Sequence, residues 1–305
     1  MDSFRSAHYT SRLDIYLYRA FGAAFQTLFW DIMGRRYGDQ FLMPKPWGAV
    51  GDFSCDGFLV PEKRCFACYG PERMSPHECT EKITNDFRGA MEHWCDQYAF
   101  ENWTFVHNAR QGLPPQAVQA LYALDQEHED VAVGHWGPSK LERIVAELSD
   151  DDAAAIFGAP PALADFASLG YGDLEAVLDH VGEASPVPPR WIRPVPASKI
   201  TANGLSDAVV TLLRAGERWA PRVHEFISSY YDAMYGERIC TRFGQEYAVL
   251  KEQHLSPDEI YHRLMVFAGG DLLAPAKRCC AVYAVLTYLF DACEIFEAPR
   301  GTERP

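Results

Sequence analysis

Residues 185–196, "SPVPPRWIRPVP", contain five prolines. No other segment restricts the possible folds of the chain as strongly. Proline lacks a backbone N–H and fixes φ, so a segment this rich in proline forms neither the interior of a helix nor a central strand. We therefore predict an extended connector here. It divides the 305 residues into a first domain at 1–182, a linker at 183–196 and a second domain at 197–305.

The chain before the connector alternates between helical and strand patterns. Apolar residues recur at helical spacing over residues 13–33, and "WGAVGDFSCDGFLV" and "KRCFACYG" then predict two strands around a turn. The order continues as a helix at 76–98, a strand in "WTFVHNA", a helix at 114–128, a strand in "VAVGHWG" and small helices over 139–182. This alternation of helices and strands predicts an α/β layer architecture for the first domain.

The second domain is helical throughout its pattern. Ser256 and Pro257 are suited to the N-cap and the first position of one of its helices. The run at 281–296, "AVYAVLTYLFDACEIF", is apolar on more faces than a lone surface helix requires. Two interpretations follow. The run is the centre of the domain's own core, or part of it, or the neighbouring helices at 205–235, packs on another subunit.

The charge balance restricts how the chain can meet nucleic acid. Its 42 acidic and 28 basic side chains give a formal net charge of −14. Proteins that bind duplex DNA non-specifically display a basic face. Contact with DNA must therefore be local, or a partner must supply the positive surface.

No export signal or membrane span is expected. The N-terminus lacks a basic segment followed by an apolar run, and no window approaches the roughly 18 apolar residues that a membrane span needs. We predict a cytoplasmic location and no membrane partner.

Nine cysteines, an odd number, fit reduced thiols better than a disulfide framework. Cys65 and Cys68 form a C-x-x-C pair, which Cys55 and Cys79 could complete into a zinc site. On a strand, however, positions three apart point to opposite faces, whereas zinc knuckles place such a pair on a tight turn. A structural role for these thiols is the favoured hypothesis, and zinc is the alternative.

The predicted hairpin carries residues suited to metal-dependent chemistry. Strand alternation places Ala67 and Tyr69 on one face. A hydrolase that cuts phosphodiesters with Mg²⁺ needs hard oxygen ligands and a group that orients water, and Asp56 on the first strand is the candidate ligand. The alternative is that Asp56 and Gly57 form an ordinary turn or bulge. Of the ten histidines, His107 at a strand end is the candidate for a place near such a site.

Stretches from one end of the chain to the other carry a family resemblance. They are "FQTLFWDIMGRRYGDQF", "KPWGAVGDFSCDGFL", "CFACYGPE", "WTFVHNAR", "SPDEIYHRLMVFAGG" and "AVLTYLFDACEIFE". With them the sequence resembles the restriction-endonuclease-fold component of bacterial ABC-three-component conflict systems, which act in antiphage defence and are related in organisation to Lamassu systems. The resemblance implies an α/β restriction-endonuclease-like (PD-(D/E)xK-type) N-terminal domain and an all-α C-terminal domain that serves assembly.

The resemblance also implies roles for individual residues. Asp56 would bind the metal, Mg²⁺ or Mn²⁺, Tyr69 would stand at the usual lysine position, and Gln26 at a helix position that often carries Glu or Gln. The implied partners are DNA and, within a hetero-oligomer, an ABC or SMC-like ATPase together with other subunits of the defence complex.

Position 67 departs from the family pattern. Relatives typically have Phe-Gln-x-Tyr-Ala-Pro, whereas this chain has "FACYGP" at 66–71, so the methyl group of Ala67 stands where the second metal ligand is expected. Either the domain is a natural pseudonuclease kept as a scaffold, or the sequence carries an inactivating substitution of a catalytic Gln. The presence of Asp56 and Tyr69 favours the second explanation.

Two hypotheses from different classes follow. In the first, the chain is a metal-dependent DNA endonuclease subunit of a multi-protein antiphage defence complex, impaired by Ala67. In the second, the same fold serves without catalysis as a DNA-binding, scaffold or adaptor subunit. Restoring Gln or Glu at position 67 discriminates between them.

Overall fold

The computed structural model describes residues 2–44, 54–95, 100–181, 197–232, 234–271, 274–292 and 295–297. The chain falls into two compact units: a sheet unit, residues 16–152, and a helical unit, residues 1–15 with 153–305. These units divide the chain at other points than the predicted domains do. The predicted linker at 183–196 lies outside the described residues, and the domain boundaries at 1–182 and 197–305 stay predictions.

The helix predicted over residues 13–33 is two helices, so the prediction of one continuous helix is wrong. Helix α1 runs over Ser3–Leu17 and α2 over Ala23–Tyr37. Between them, Gly22 has a φ of 53°, a left-handed conformation that interrupts a helix and that glycine adopts readily. Its N–H donates to the carbonyl oxygen of Gly70 at 2.7 Å. A backbone contact with a residue far along the chain thus fixes the start of α2.

The sheet unit contains the predicted order of strands and helices. Its strands are β1 (Phe41–Leu42), β2 (Gly57–Leu59), β3 (Arg64–Tyr69), β4 (Asn102–His107) and β5 (Ala132–Trp136). Its further helices are α3 (Pro76–Ala90), α4 (Pro115–Glu127) and α5 (Pro138–Ala146). The first predicted hairpin strand is observed as a strand only at β2. Residues 54–56 precede that strand, and residues 45–53 lie outside the described residues.

The strands that the structure describes form one five-stranded sheet in the order β1-β2-β3-β4-β5. The pairs β1–β2 and β2–β3 are antiparallel, whereas β3–β4 and β4–β5 are parallel. A parallel pair requires a crossover connection, which α3 and α4 provide. The carboxyl ends of β3, β4 and β5 therefore meet at one edge of the sheet.

Helices cover both faces of the sheet. On one face, the rings of Phe29 on α2 and Phe66 on β3 are 5.2 Å apart. On the other face, Ala67 lies in a core cluster with Ile83 of α3 and Leu121 of α4. Strand alternation thus sends neighbouring residues of β3 into two separate cores.

The helical unit contains most of α1 and the helices of the second half of the chain. They are α6 (Asp150–Phe157, in part), α7 (Leu163–Ala167), α8 (Tyr171–Val181), α9 (Ala197–Asn203), α10 (Asp207–Glu217), α11 (Ala220–Ser229), α12 (Tyr235–Glu252), α13 (Pro257–Phe267) and α14 (Ala276–Asp291). The predicted cap is confirmed, since Ser256 Oγ accepts from the N–H of Glu259 at 3.2 Å. Throughout the described ranges, no helix is long and apolar enough to cross a membrane.

Helix α14 is the centre of the helical unit. Its residues 279–290 are all buried, and it packs against α8, α10 and α11. The interpretation of the apolar run at 281–296 as core is therefore confirmed for residues 281–290, which are buried within this chain. A partner surface on the helices at 205–235 stays a prediction.

A buried lysine donates hydrogen bonds to backbone carbonyl groups at the C-terminal end of α14. Lys199 on α9 is 0% exposed, and its ammonium group donates to the carbonyl oxygens of Phe290 at 2.5 Å and Ile295 at 2.8 Å. The ring of Phe290 lies 4.4 Å from the same nitrogen. A cation at a helix C-terminus is favourable because the last carbonyl oxygens lack partners within the helix. Through these hydrogen bonds, Lys199 connects α9 with the end of α14 and with Ile295.

Substitution of Gly216 should destabilise the helical unit. A Cβ atom at Gly216 on α10 would lie 2.5 Å from the carbonyl oxygen of Tyr283 on α14. The added methyl group can be accommodated only if α10 and α14 move apart. We therefore expect Gly216→Ala to lower the free energy of unfolding by about 1–3 kcal/mol, as measured by urea titration followed by circular dichroism. Gly172→Ala on α8, where a Cβ meets nothing within 4 Å, is the control. Equal losses in the two variants would contradict the close α10–α14 contact.

Candidate functional site

Helix α2 holds Asp56 from one side. The side-chain amide of Gln26 donates to Oδ1 of Asp56, and the indole Nε1 of Trp30 donates to the backbone carbonyl oxygen of Asp56. Gln26 and Trp30 are four residues apart, so both lie on the helix face directed at Asp56. The hydrogen bond from Gly22 to Gly70 lies at the N-terminal end of this helix.

Strand β3 holds the same carboxylate from the other side. The backbone N–H of Cys68 donates to Oδ2 of Asp56 at 2.6 Å, and the N–H of Asp56 donates to the carbonyl oxygen of Phe66 at 2.7 Å. Asp56 is 9% exposed. Each of its carboxylate oxygens accepts a hydrogen bond, which offsets the cost of burying a charge. Of the predicted site residues, Gln26 and Asp56 are thus in direct contact.

Ala67 lies beside this carboxylate but offers no oxygen. It precedes Cys68, whose nitrogen is 2.6 Å from Asp56 Oδ2, so bond lengths keep the Cβ of Ala67 within about 7 Å of that oxygen. Ala67 is 0% exposed and belongs to the core cluster on the α3 face of the sheet. Position 67 is therefore close to Asp56, with a buried methyl group as its side chain.

The residues around Asp56 do not fit a complete metal site. Among the residues that the structure describes, no three His, Cys, Asp or Glu side chains form a group that could hold an ion. Both oxygens of the Asp56 carboxylate already accept hydrogen bonds. Mg²⁺ requires near-octahedral oxygen ligands, commonly including one or two carboxylates. The predicted ligand pair of Asp56 and position 67 lacks its second oxygen in this chain.

Tyr69 stands at the carboxyl end of β3 as a neutral phenol. Burial, with a contribution from the nearby Glu78, raises the pKa of Tyr69, so the hydroxyl keeps its proton at neutral pH. Its ring packs on Phe105 of β4 at 5.9 Å. Tyr69 can donate a hydrogen bond, but it cannot supply the positive charge of a lysine.

Helix α3 carries an ion pair beside the face that packs on the sheet. Lys82 Nζ lies 2.7 Å from Asp86 Oδ2 and 2.9 Å from its Oδ1, and Asp86 is buried. The face of α3 that packs on the sheet also carries Cys79 and Ile83. The sequence analysis did not single out this pair, although a spacing of four residues on a predicted helix favours an ion pair between Lys82 and Asp86.

The cysteines near Asp56 are reduced thiols in the structure. Burial, followed by a hydrogen bond with Cys55, raises the pKa of Cys65 well above its usual value, and burial likewise raises the pKa of Cys79 to about 11. A structural zinc site needs four ligands, and no three His, Cys, Asp or Glu side chains of the described residues form a group that could hold an ion. The structure gives the zinc alternative no support among these residues.

His107 and His135 form a pair at the carboxyl ends of β4 and β5. His107 Nδ1 accepts from the N–H of Ala109 at 3.2 Å, so the ring proton lies on Nε2, which is 3.1 Å from Nδ1 of His135. Burial, and then the neighbouring His135, lower the pKa of His107 to about 4. In register, His107 lies opposite Tyr69. His107 is thus a buried neutral histidine at the sheet edge that carries Tyr69.

Acid should destabilise the sheet unit through His107. Its pKa in the fold is about 4, below the usual 6.5, so stability is lost as the pH falls from about 6.5 to about 4. At pH 5 the loss should reach about 2 kcal/mol. Urea titrations at pH 7 and pH 5 should show this loss in the parent and a smaller one in His107→Gln. The control is His77→Gln at an exposed position, and an unchanged loss in His107→Gln would contradict the assignment.

Comparison with known proteins finds a similarity in the C-terminal region. Residues 172–297 match the family model of C-terminal domain 10 of the ABC-three component (ABC-3C) systems. The match covers almost all of α8 and the whole of α9–α14, which is less than half of the chain, so it shows a similarity of this region to a domain of these multi-component systems. No curated protein and no solved structure matches the chain.

Proposed function

Since this protein carries a C-terminal domain of the ABC-three-component systems, we propose that it is a metal-dependent DNA endonuclease subunit of such a system, impaired by Ala67. The sheet unit would be its PD-(D/E)xK-type nuclease domain. One observation carries the proposal: Asp56 is buried between the Gln26 amide of α2 and the Cys68 N–H of β3, directly beside position 67.

The elements around Asp56 also support a nuclease domain. An antiparallel hairpin leads into two parallel crossovers, and helices lie on both faces of the sheet. Gln26 of α2 and the Cys68 N–H of β3 both donate to Asp56, which directly precedes β2, and this supports a shared site that includes position 67. Mg²⁺ or Mn²⁺ would be the cofactor once position 67 offers an oxygen ligand.

A second candidate function is a non-catalytic scaffold or adaptor built on the same fold. The buried methyl group of Ala67 favours it, as does the lack of a three-residue ligand group within the described ranges. In that case Asp56 serves the structure, through its hydrogen bonds to α2 and β3.

The proposed partners are DNA, an ABC or SMC-like ATPase and other subunits, in a cytoplasmic hetero-oligomer. The net charge of −14 favours a partner that supplies positive surface for DNA. Within the matched C-terminal region, Tyr231 is 92% exposed and lies 4.7 Å, ring to ring, from Tyr230. Aromatic side chains are common anchors of protein interfaces, so the segment that follows α11, within the predicted partner region at 205–235, is the proposed contact surface.

Cleavage assays on two substitutions test the proposed function. Ala67→Gln should give a protein that cuts DNA in the presence of Mg²⁺ and stops on addition of EDTA. Asp56→Asn in the Ala67→Gln background should abolish that activity, because it removes the carboxylate. Cleavage that survives Asp56→Asn would point to a contaminating nuclease and count against this site, and two inactive proteins would favour the scaffold function.

A further inference from the structure

An aromatic cluster lies on the surface of the helical unit. The rings of Tyr171 on α8 and Phe226 on α11 are 5.4 Å apart, measured between their centres. Tyr230 and Tyr231 follow α11 with rings 4.7 Å apart, and the ring of Tyr230 stacks on Tyr235 of α12 at 3.9 Å. Phe226 joins the two parts, because its ring lies 5.5 Å from that of Tyr230. These five residues form one connected set, the tyrosine cluster.

Part of the tyrosine cluster faces the solvent. Tyr231 is 92% exposed and Tyr171 is 47% exposed, whereas Phe226 and Tyr235 are buried. Ring contacts to neighbours hold both exposed rings, so they give up little side-chain freedom when they bind another group. The cluster is therefore a preorganised aromatic surface.

The chemistry of this surface suits a proline-rich segment. Proline-rich segments commonly dock in grooves lined by aromatic side chains, because they hold an extended polyproline conformation before binding and lose little entropy. A tyrosine ring offers a flat apolar face to the proline rings. Its hydroxyl can donate to the backbone carbonyl oxygens, which have no partner within a polyproline helix.

The chain itself carries such a segment next to the cluster. Residues 182–196, outside the described residues, contain five prolines, of which Pro186 and Pro189 have the P-x-x-P spacing. The segment directly follows α8, which spans the 11 residues Tyr171–Val181, so the two ends of α8 are about 15 Å apart. At about 3.1 Å per residue, an extended chain covers this distance within about five residues. The segment is therefore long enough to reach Tyr171.

Charge favours the same contact. Residues 182–196 contain two arginines and one glutamate, so the segment is positive although the chain as a whole is strongly negative. Glu175 is exposed and lies one turn after Tyr171 on α8, which places a carboxylate beside the cluster. Arg238 on the α12 side is paired with Asp232 at 2.5 Å, and this ion pair offsets its charge.

We propose that the tyrosine cluster binds the proline-rich segment, residues 182–196, of its own chain. The inference concerns the helical unit and does not depend on the proposed nuclease function. A partner subunit that uses the same tyrosines would compete with this segment.

Trypsin cleavage after Arg190 tests this docking in the whole chain. Arg190 precedes Trp191 and is a trypsin site, whereas the bond between Arg193 and Pro194 resists the enzyme. A docked segment is cut only while it is released, so the cleavage rate follows the released fraction. We expect Tyr231→Ala to raise the rate about tenfold, because loss of one aromatic anchor commonly weakens an interface by about this factor. Mass spectrometry of the fragment that ends at Arg190 measures the rate.

Tyr122→Ala is the matched control. Tyr122 on α4 of the sheet unit is 66% exposed, so this variant removes a surface tyrosine outside the cluster and should leave the rate unchanged. Equal rates in the parent and Tyr231→Ala would overturn the proposal and leave the proposed function intact. A parent rate that falls as the protein concentration rises would place the segment on a second copy of the chain and contradict docking within one chain.

Discussion

DNA cleavage by the Ala67→Gln protein is expected to exceed cleavage by the chain with Ala67 by at least about 100-fold, since a single preorganised contact in an active site is commonly worth about 10²–10³ in rate. The Cβ of residue 67 lies within about 7 Å of Asp56 Oδ2, so Asp56 and a Gln at position 67 would be the residues that hold the metal, which would supply the charge stabilisation for phosphodiester hydrolysis. The measurement is the rate at which linear duplex DNA is cut in Mg²⁺.

Ala67→Leu is the control for this experiment. It adds a side chain of similar bulk at the same buried position, so it shares any cost of overpacking but offers no oxygen. It should remain inactive. Activity equal to that of Ala67→Gln would show that bulk, and not a ligand, is what position 67 lacks.

The activity should also depend on partners. The net charge of −14 opposes the approach of DNA to the isolated chain, so cleavage by the Ala67→Gln protein should rise when it is co-purified with the ATPase component. Full activity in the isolated protein would contradict a dependence of cleavage on the partner, but it would leave the proposed nuclease function intact.

Lys199→Met is expected to lower the free energy of unfolding of the helical unit by about 2–4 kcal/mol. The ammonium group donates to Phe290 and Ile295, and both acceptors are buried backbone carbonyls. Methionine matches the length of the lysine stem but donates no hydrogen bond, so these carbonyl oxygens lose a charge-assisted partner. Urea unfolding followed by far-ultraviolet circular dichroism measures the loss.

An exposed lysine in the same unit provides the comparison. Lys251 forms an ion pair with Glu297, and both side chains are 57% exposed. Exposed pairs contribute at most about 1 kcal/mol, so Lys251→Met should change the stability little. If Lys199→Met were equally mild, the buried hydrogen bonds at the end of α14 would contribute nothing measurable.

Local pattern determined most of the element order of this protein. The α/β alternation of β3, α3, β4, α4 and β5, and the Ser256 cap, depend on periodicity and capping within a few residues, which the sequence displays directly. The length and apolar character of the run at 281–296 likewise predicted a buried helix as one of two interpretations. Asp56 was named from the ligands that a metal-dependent hydrolase needs, whereas Gln26 and the ligand role of position 67 came from a family resemblance, and the functional roles of all three stay predictions.

Tertiary structure decided what depends on partners far along the chain. The break between α1 and α2 depends on Gly70, 48 residues after Gly22. The choice between core and partner surface for α14 required the surrounding helices. The sequence suggested Asp56 as a candidate, but only the fold could place the Gln26 amide and the Cys68 N–H on its carboxylate. Hydrogen bonds and charges act through space, so a one-dimensional pattern leaves their partners undetermined.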